Sequence, residues 1–202
     1  MAQKDGESNK RPDFGTYHHS TPAASKRLRE RIRVRFADAF ASLPFSCDDP
    51  LKVLDIGCGL GFLSCVAAEN YSKSTVTGFD TFEHPSLRGS SMARAKKNAE
   101  IMGLSRRVRF EIGDVLESDY RGGRFDLFVS NLVYHNLGKK RFQAYGKLAR
   151  WATPSSYAVV GDIFFDYQAD SKCLGELFGS VETRPRAKRD GEYRILVLSN
   201  PK

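Results

Sequence analysis

The chain has 202 residues, 41% hydrophobic and 28% charged, the balance expected of one soluble globular domain with room for a full core. No apolar run approaches the roughly 20 residues that span a bilayer, and the first 15 residues lack the apolar stretch of a signal peptide; a membrane protein and an exported one are set aside, and a cytoplasmic location is expected. A net charge of +8 keeps polyanion binding open, although the basic residues fall into four stretches (26–35, 94–109, 139–150 and 184–189) rather than one stripe.

Residues 1–13 are polar and expected to be disordered. Phe14, Tyr17, His18 and His19 follow, ahead of Thr21-Pro22, a helix start with Thr as N-cap and Pro at the first helical position. Leu28, Ile32, Phe36, Ala39 and Phe40 form one stripe, so a helix is expected over 21–43, stopped by Pro44. Its five arginines read first as stems covering apolar surface, with a binding patch as the second reading.

The chain is organised around residues 52–63, KVLDIGCGLGFL. Val53, Leu54 and Ile56, with Asp55 among them, read as a buried parallel strand. Gly57, Gly59 and Gly61 then alternate, which permits positive φ and lets a ligand approach bare backbone. A helix from Phe62 follows, giving a strand–loop–helix suited to a cofactor. A dinucleotide loop wants G-x-G-x-x-G, but Phe62 takes the place of its last glycine. No Gly-Lys-Ser/Thr follows, so a phosphate-cradling Walker loop is excluded too.

A second strand over 74–80 ends in Asp80, about where an open α/β fold places the carboxylate that grips ribose hydroxyls; capping the next segment is the bland alternative. A helix over 92–102 stops at Gly103, and a third strand over 108–112 runs into Gly113-Asp114-Val115. Gly122-Gly123 marks a turn, so the crossover before the next strand has room for only a very short helix. The fourth strand, 125–131, is nearly all apolar and therefore central, and its exit carries Asn131, Tyr134 and His135 where open sheets put their chemistry. A helix beyond it, a fifth strand over 157–165 containing Asp162, a helix ended by Gly179, a weak strand near Val181 and a clear last strand over 193–198 complete the chain. There is no internal repeat and no linker. The cysteines, Cys47, Cys58, Cys65 and Cys173, form no CxxC pair and no metal spacing, so reduced thiols are expected.

The D-x-G-x-G-x-G of residues 55–61, with Asp80 and the segment ARAKKNAEIMGLSRRVRFEIGD ending at Asp114, resembles class I S-adenosylmethionine-dependent methyltransferases over roughly residues 50–200. The resemblance implies an α/β fold, a Rossmann-like doubly wound seven-stranded sheet with the last strand antiparallel in a three-layer α/β/α sandwich. It implies one methyltransferase domain over 21–202, preceded by a flexible segment, 1–20, that is a candidate lid. S-adenosylmethionine is the implied donor and S-adenosylhomocysteine the product. Asp55, Gly57, Gly59, Gly61, Asp80, Asp114, Val115, Asn131 and Tyr17 are the implied donor-binding positions, with Asp114 facing the adenine amino group and Val115 lending its backbone.

The exit of the fourth strand reads S-N-L-V, not the N-P-P-Y of enzymes that methylate planar amide or adenine nitrogens, which argues against those acceptors. Transfer from a sulfonium is an in-line displacement, so the protein chiefly aligns nucleophile and methyl, and it needs a base only where the acceptor carries a proton. His135 is the candidate base or substrate orienter, with Asn131 and Tyr134 beside it; Asp162 reads equally as an orienter of a cationic acceptor or as a cap. No metal is expected, since His18 and His19 lack a further ligand at useful spacing. A small-molecule acceptor is the leading expectation. A methyltransferase of RNA or protein, or a basic nucleic-acid-binding domain without catalysis, is the alternative.

Overall fold

The computed structural model describes residues 11–118, 120, 124–185 and 190–202. Helix α1, Pro22–Phe40, begins as its sequence dictates: the Thr21 hydroxyl accepts the Ala24 N–H, and Pro22 sits where no donor is needed. Strand β1, Lys52–Ile56, is buried from Val53 onward. The glycine loop leads into α2, Phe62–Asn70, whose N-cap Gly61 is left-handed at φ 81°. Then come β2 (Thr75–Asp80), α3 (Met92–Ile101), β3 (Val108–Ile112), β4 (Leu127–Asn131), a 3-10 segment (Tyr134–Lys140), α4 (Arg141–Trp151), β5 (Tyr157–Ile163), α5 (Tyr167–Leu177), β6 (Phe178–Thr183) and β7 (Tyr193–Pro201).

The seven strands form one sheet in the order β3-β2-β1-β4-β5-β7-β6. β1 lies parallel between β2 and β4, while β7 runs antiparallel to both β5 and β6. The expected topology is thus the observed one. Because side chains alternate across a strand, Val53 and Leu54 of β1 enter different cores. On one face Val53 joins Ile32, Phe36, Val66 and Ala99 from α1, α2 and α3. On the other, Leu54 joins Tyr145, Leu148 and Leu174 from α4 and α5. Strand order reverses between β1 and β4, and a crevice opens outside their carboxyl ends, the place where open α/β sheets hold ligands.

Several expectations shift in detail. The helix expected to end at Gly179 ends at Leu177, and Gly179 lies inside β6, because buried Phe178 already belongs to the sheet. A Cβ at Gly179 would come 3.0 Å from the Asn200 Cβ on β7, so glycine serves strand packing there rather than a helix stop. The crossover between β3 and β4 shows only a turn over 115–117 among the described residues, and the expected Gly122-Gly123 turn lies outside them. So do residues 1–10, within the segment expected to be disordered, and 186–189 of the basic loop.

Candidate active site

A cavity of about 830 Å³ opens at the carboxyl ends of β1, β2, β4 and β5, within the range of small-molecule sites. Gly57, Gly59, Asp55, Asp80, Asp114, Val115, Asn131, His135 and Tyr17 all line it. Two sequence candidates do not. Gly61 lies behind the wall, where a Cβ would come 2.7 Å from the Phe110 ring, so its bareness lets α2 close on the sheet. Tyr134 is fully buried and packs on Tyr145, ring centres 4.8 Å apart, in the core under α4.

The glycine-loop side is organised by carboxylates. Asp80 Oδ2 accepts the Gly59 N–H at 2.8 Å and Oδ1 accepts the Phe82 N–H at 2.6 Å. Asp80 therefore ties the loop to the end of β2 and also holds the turn after it, as the capping reading of its sequence position expects. Each carboxylate oxygen has a second lone pair, which leaves capacity for ribose hydroxyls. Asp114 Oδ1 accepts the Leu116 N–H at 2.7 Å. Gly59, at φ 52°, presents bare backbone to the cavity; a Cβ there would meet Leu87 Cδ2 at 2.8 Å. Asp55 is buried, with Oδ2 accepting the Ser64 hydroxyl at 2.6 Å and Oδ1 without a partner. Burial pushes its carboxyl up to about 7, against the Ser64 hydrogen bond, and nearby Asp80 raises it further.

The β4–β5 side is built from side chains. Leu132 takes φ 59°, rare for a branched residue, and its N–H bonds the Gly161 carbonyl at 2.8 Å. After this sharp turn Tyr134 enters the core while His135 faces the cavity. His135 Nδ1 lies 2.5 Å from Asp162 Oδ1. Asp162 is 1% exposed; its Oδ2 also accepts the Tyr134 N–H at 2.7 Å and the His135 N–H at 3.3 Å, and Oδ1 accepts the Ile163 N–H at 2.7 Å. With Nδ1–H donating to the carboxylate, Nε2 keeps its lone pair. The Tyr193 hydroxyl donates to Asn131 Oδ1 at 2.8 Å; it reaches there because Gly161 is bare, since a Cβ would come 2.3 Å from that hydroxyl. Phe165, 77% exposed, stands 6.4 Å from the His135 ring at the mouth.

Sequence reasoning assigned neither Asp162 to His135 nor Tyr193 to Asn131; an acid at the end of β5 was the only visible signal. Of the five arginines of α1, Arg29 bonds the Phe14 carbonyl and lies over Tyr17, Arg33 pairs with Glu69, and Arg35 pairs with Asp190 at 3.2 Å. The N-terminal segment is sewn down by a Tyr17–Leu87 bridge and by His18 N–H to the Ser86 carbonyl at 2.8 Å. All four histidines of the chain line the cavity. Among the described residues no three His, Cys, Asp or Glu groups gather as a metal site, and no helix is long and apolar enough to cross a membrane.

The fold is a doubly wound α/β sheet with its cavity at the carboxyl ends of the strands, and residues 48–192 match the family described as "Methyltransferase domain". The chain belongs to that family, the class I S-adenosylmethionine-dependent methyltransferases. It is 30% identical over 148 residues to a probable tocopherol O-methyltransferase, chloroplastic, of Oryza sativa subsp. japonica, covering 71% of this chain and 39% of that protein. It is also 30% identical over 159 residues to ribosomal RNA small subunit methyltransferase C of Enterobacter sp. (strain 638), covering 75% and 42%. The chain thus spans about two fifths of these relatives' length. An O-methyltransferase family protein from Burkholderia thailandensis superposes with a TM-score of 0.63 at 17% identity, covering 89% of this chain and 61% of that one, a likeness of fold.

The residues present fit the family's donor: bare backbone at Gly59, spare lone pairs on Asp80, and an unpartnered carboxylate oxygen on Asp55.

Proposed function

We propose that this chain transfers a methyl group from S-adenosylmethionine to a small molecule whose accepting atom carries a proton. The carrying observation is the His135–Asp162 pair beside the cavity: a buried carboxylate fixing the ring through Nδ1 leaves Nε2 free to take a proton. The bound donor supplies an activated methyl on a sulfonium. Gly57, Gly59, Asp80, Asp114 and Val115 bind its nucleoside. Asp162 holds the tautomer and orientation of His135, His135 removes the acceptor's proton as the nucleophile attacks, and Asn131, its amide held by Tyr193, orients the acceptor. Tyr134 enters only through its backbone N–H, given to Asp162.

An apolar mouth formed by Leu137, Ile163 and Phe165 suits a small acceptor with an apolar body. Residues 11–20 serve as a lid over the cavity, since Phe14, Tyr17 and His18 contribute to its wall. A cytoplasmic location is part of the same reading, supported by four free cysteines. Calorimetry with S-adenosylhomocysteine, together with turnover, tests the assignment. His135→Ala should keep product affinity and lose turnover; loss of affinity with unchanged turnover at saturation would move His135 to the donor site or the scaffold.

A polyanionic acceptor is the second reading, favoured by the net charge of +8 and by relatives titled ribosomal RNA methyltransferases. It predicts RNA affinity that falls steeply with salt. A flat salt response would remove it.

A further inference from the structure

The two polar groups that face an acceptor each have one hydrogen-bonding polarity, and a buried partner sets it. Asp162 takes the Nδ1–H of His135, so Nε2 meets the cavity as a lone pair. Asn131 is set in the opposite sense. Its Oδ1 accepts the Tyr193 hydroxyl at 2.8 Å, and among the described residues no group takes a proton from Nδ2, so the amide offers the cavity N–H donors. The Tyr193 phenol keeps its proton, because burial pushes it well above its usual value against the pull of Arg35. Its position is tightly constrained. A Cβ at Gly161 would stand 2.3 Å from the hydroxyl and 2.8 Å from the Phe36 ring, and the Arg35 guanidinium, paired with Asp190, lies 5.1 Å over the phenol ring. Both groups are anchored on consecutive residues of β5: Asn131 lies beside Gly161 in the parallel register, and Asp162 holds His135.

One lone pair and one donor therefore stand at the same corner of the cavity. A hydroxyl is their complement, with a proton for Nε2 and a lone pair to spare for Nδ2. A neutral amine has a single lone pair, which attack on the methyl consumes. A thiol is a weak acceptor, and a carboxylate brings no proton for Nε2. We propose that the accepting atom is a hydroxyl oxygen held between His135 Nε2 and Asn131 Nδ2, with Tyr193 and Arg35 as positioning residues. This rests on the small-molecule reading above and carries it to the atom that is methylated. The O–H bond breaks as its proton goes to Nε2, the oxygen–methyl bond forms, and the sulfur–methyl bond breaks with its electron pair returning to sulfur. The Nδ2 donors face the charge that gathers on oxygen, where a fixed dipole stabilises it most.

The test reads the product and the polarity separately. A cell extract is incubated with the wild-type chain and S-adenosylmethionine carrying carbon-13 in its methyl, and the labelled small molecule is examined by carbon NMR. A methoxy carbon is expected; an N-, S- or C-methyl carbon would overturn the proposal. No label in the small-molecule fraction would instead remove the small-molecule reading, and this inference with it. With that same extract, Asn131→Ala should lower turnover by about 10²- to 10³-fold, as for other donors aimed at developing negative charge. Asn131→Asp should be no better, since a carboxylate offers no N–H; turnover retained in Asn131→Asp would mean that the acceptor donates to this position and would overturn the proposal. Tyr193→Phe should cost about tenfold, the worth of one neutral hydrogen bond, and nothing further once Asn131 is Ala. Affinity for S-adenosylhomocysteine, measured by calorimetry, should stay within about twofold in Tyr193→Phe. An equal loss from Tyr193→Phe in both backgrounds would make Tyr193 a packing residue and overturn its positioning role.

Discussion

The two sides of the cavity are held in different ways. Near the glycine loop, carboxylates accept backbone N–H groups: Asp80 takes those of Gly59 and Phe82, and Asp114 takes that of Leu116. Near β4 and β5, side chain grips side chain across the sheet: Asp162 fixes His135 and Tyr193 fixes Asn131. The first arrangement fixes the backbone that faces the cavity. The second aims two particular groups and leaves the space before them apolar and open, at Ile163 and Phe165. Binding and chemistry should therefore come apart on substitution.

Gly59→Val should have the largest effect, abolishing donor-side binding. Its backbone sits at φ 52°, which a β-branched residue adopts poorly, and a Cβ would crowd Leu87. Calorimetry beside a cooperative melt checks it; undiminished affinity for S-adenosylhomocysteine would contradict it. His135→Ala should lower turnover by about 10²- to 10⁴-fold, the usual worth of a positioned base, with product affinity held.

Asp55 sharpens the comparison through pH. Its folded carboxyl lies at about 7 against an ordinary 3.8. Between those values the folded chain holds a proton that the unfolded chain has released, so the stability Asp55 contributes is present at low pH and is lost as pH rises towards 7. The loss is on the order of 4 kcal/mol at most. Urea unfolding of the ligand-free protein at pH 5 and pH 8 should show this slope in the wild type and a flatter one in Asp55→Asn. Identical slopes would show that Asp55 is not the titrating group.

Asp80→Ala should weaken S-adenosylhomocysteine by about 10- to 150-fold and also lower the melting temperature, because the Gly59 and Phe82 N–H groups lose their acceptor. Asp80→Asn should cost less on both counts. Lost stability with an unchanged dissociation constant would leave Asp80 a cap alone.

The legibility of each side follows from these differences. Glycine alternation, an acid at the end of β2 and Gly113-Asp114 are local signals, so the sheet and most of the loop-side wall could be read from residues close in sequence. Gly61 was legible as part of the pattern but not as a packing glycine, because its neighbour Phe110 comes from β3. Tyr134 and His135 are adjacent in sequence, and only the left-handed turn at Leu132 decides which enters the core. The pairs His135–Asp162 and Asn131–Tyr193 join residues 27 and 62 positions apart, and nothing in a single strand's periodicity announces them. Arg29 looked like its helical neighbours until Phe14 and Tyr17 folded back over it.

The central claim is a small-molecule acceptor deprotonated by His135, and one experiment addresses it most directly. A cell extract is incubated with methyl-labelled S-adenosylmethionine and either the wild-type chain or His135→Ala, then separated into small-molecule, RNA and protein fractions. Wild-type protein should place label in the small-molecule fraction, and His135→Ala should lose nearly all of it while binding S-adenosylhomocysteine as before. Label in RNA or protein, or small-molecule labelling that persists without the histidine, would contradict the account.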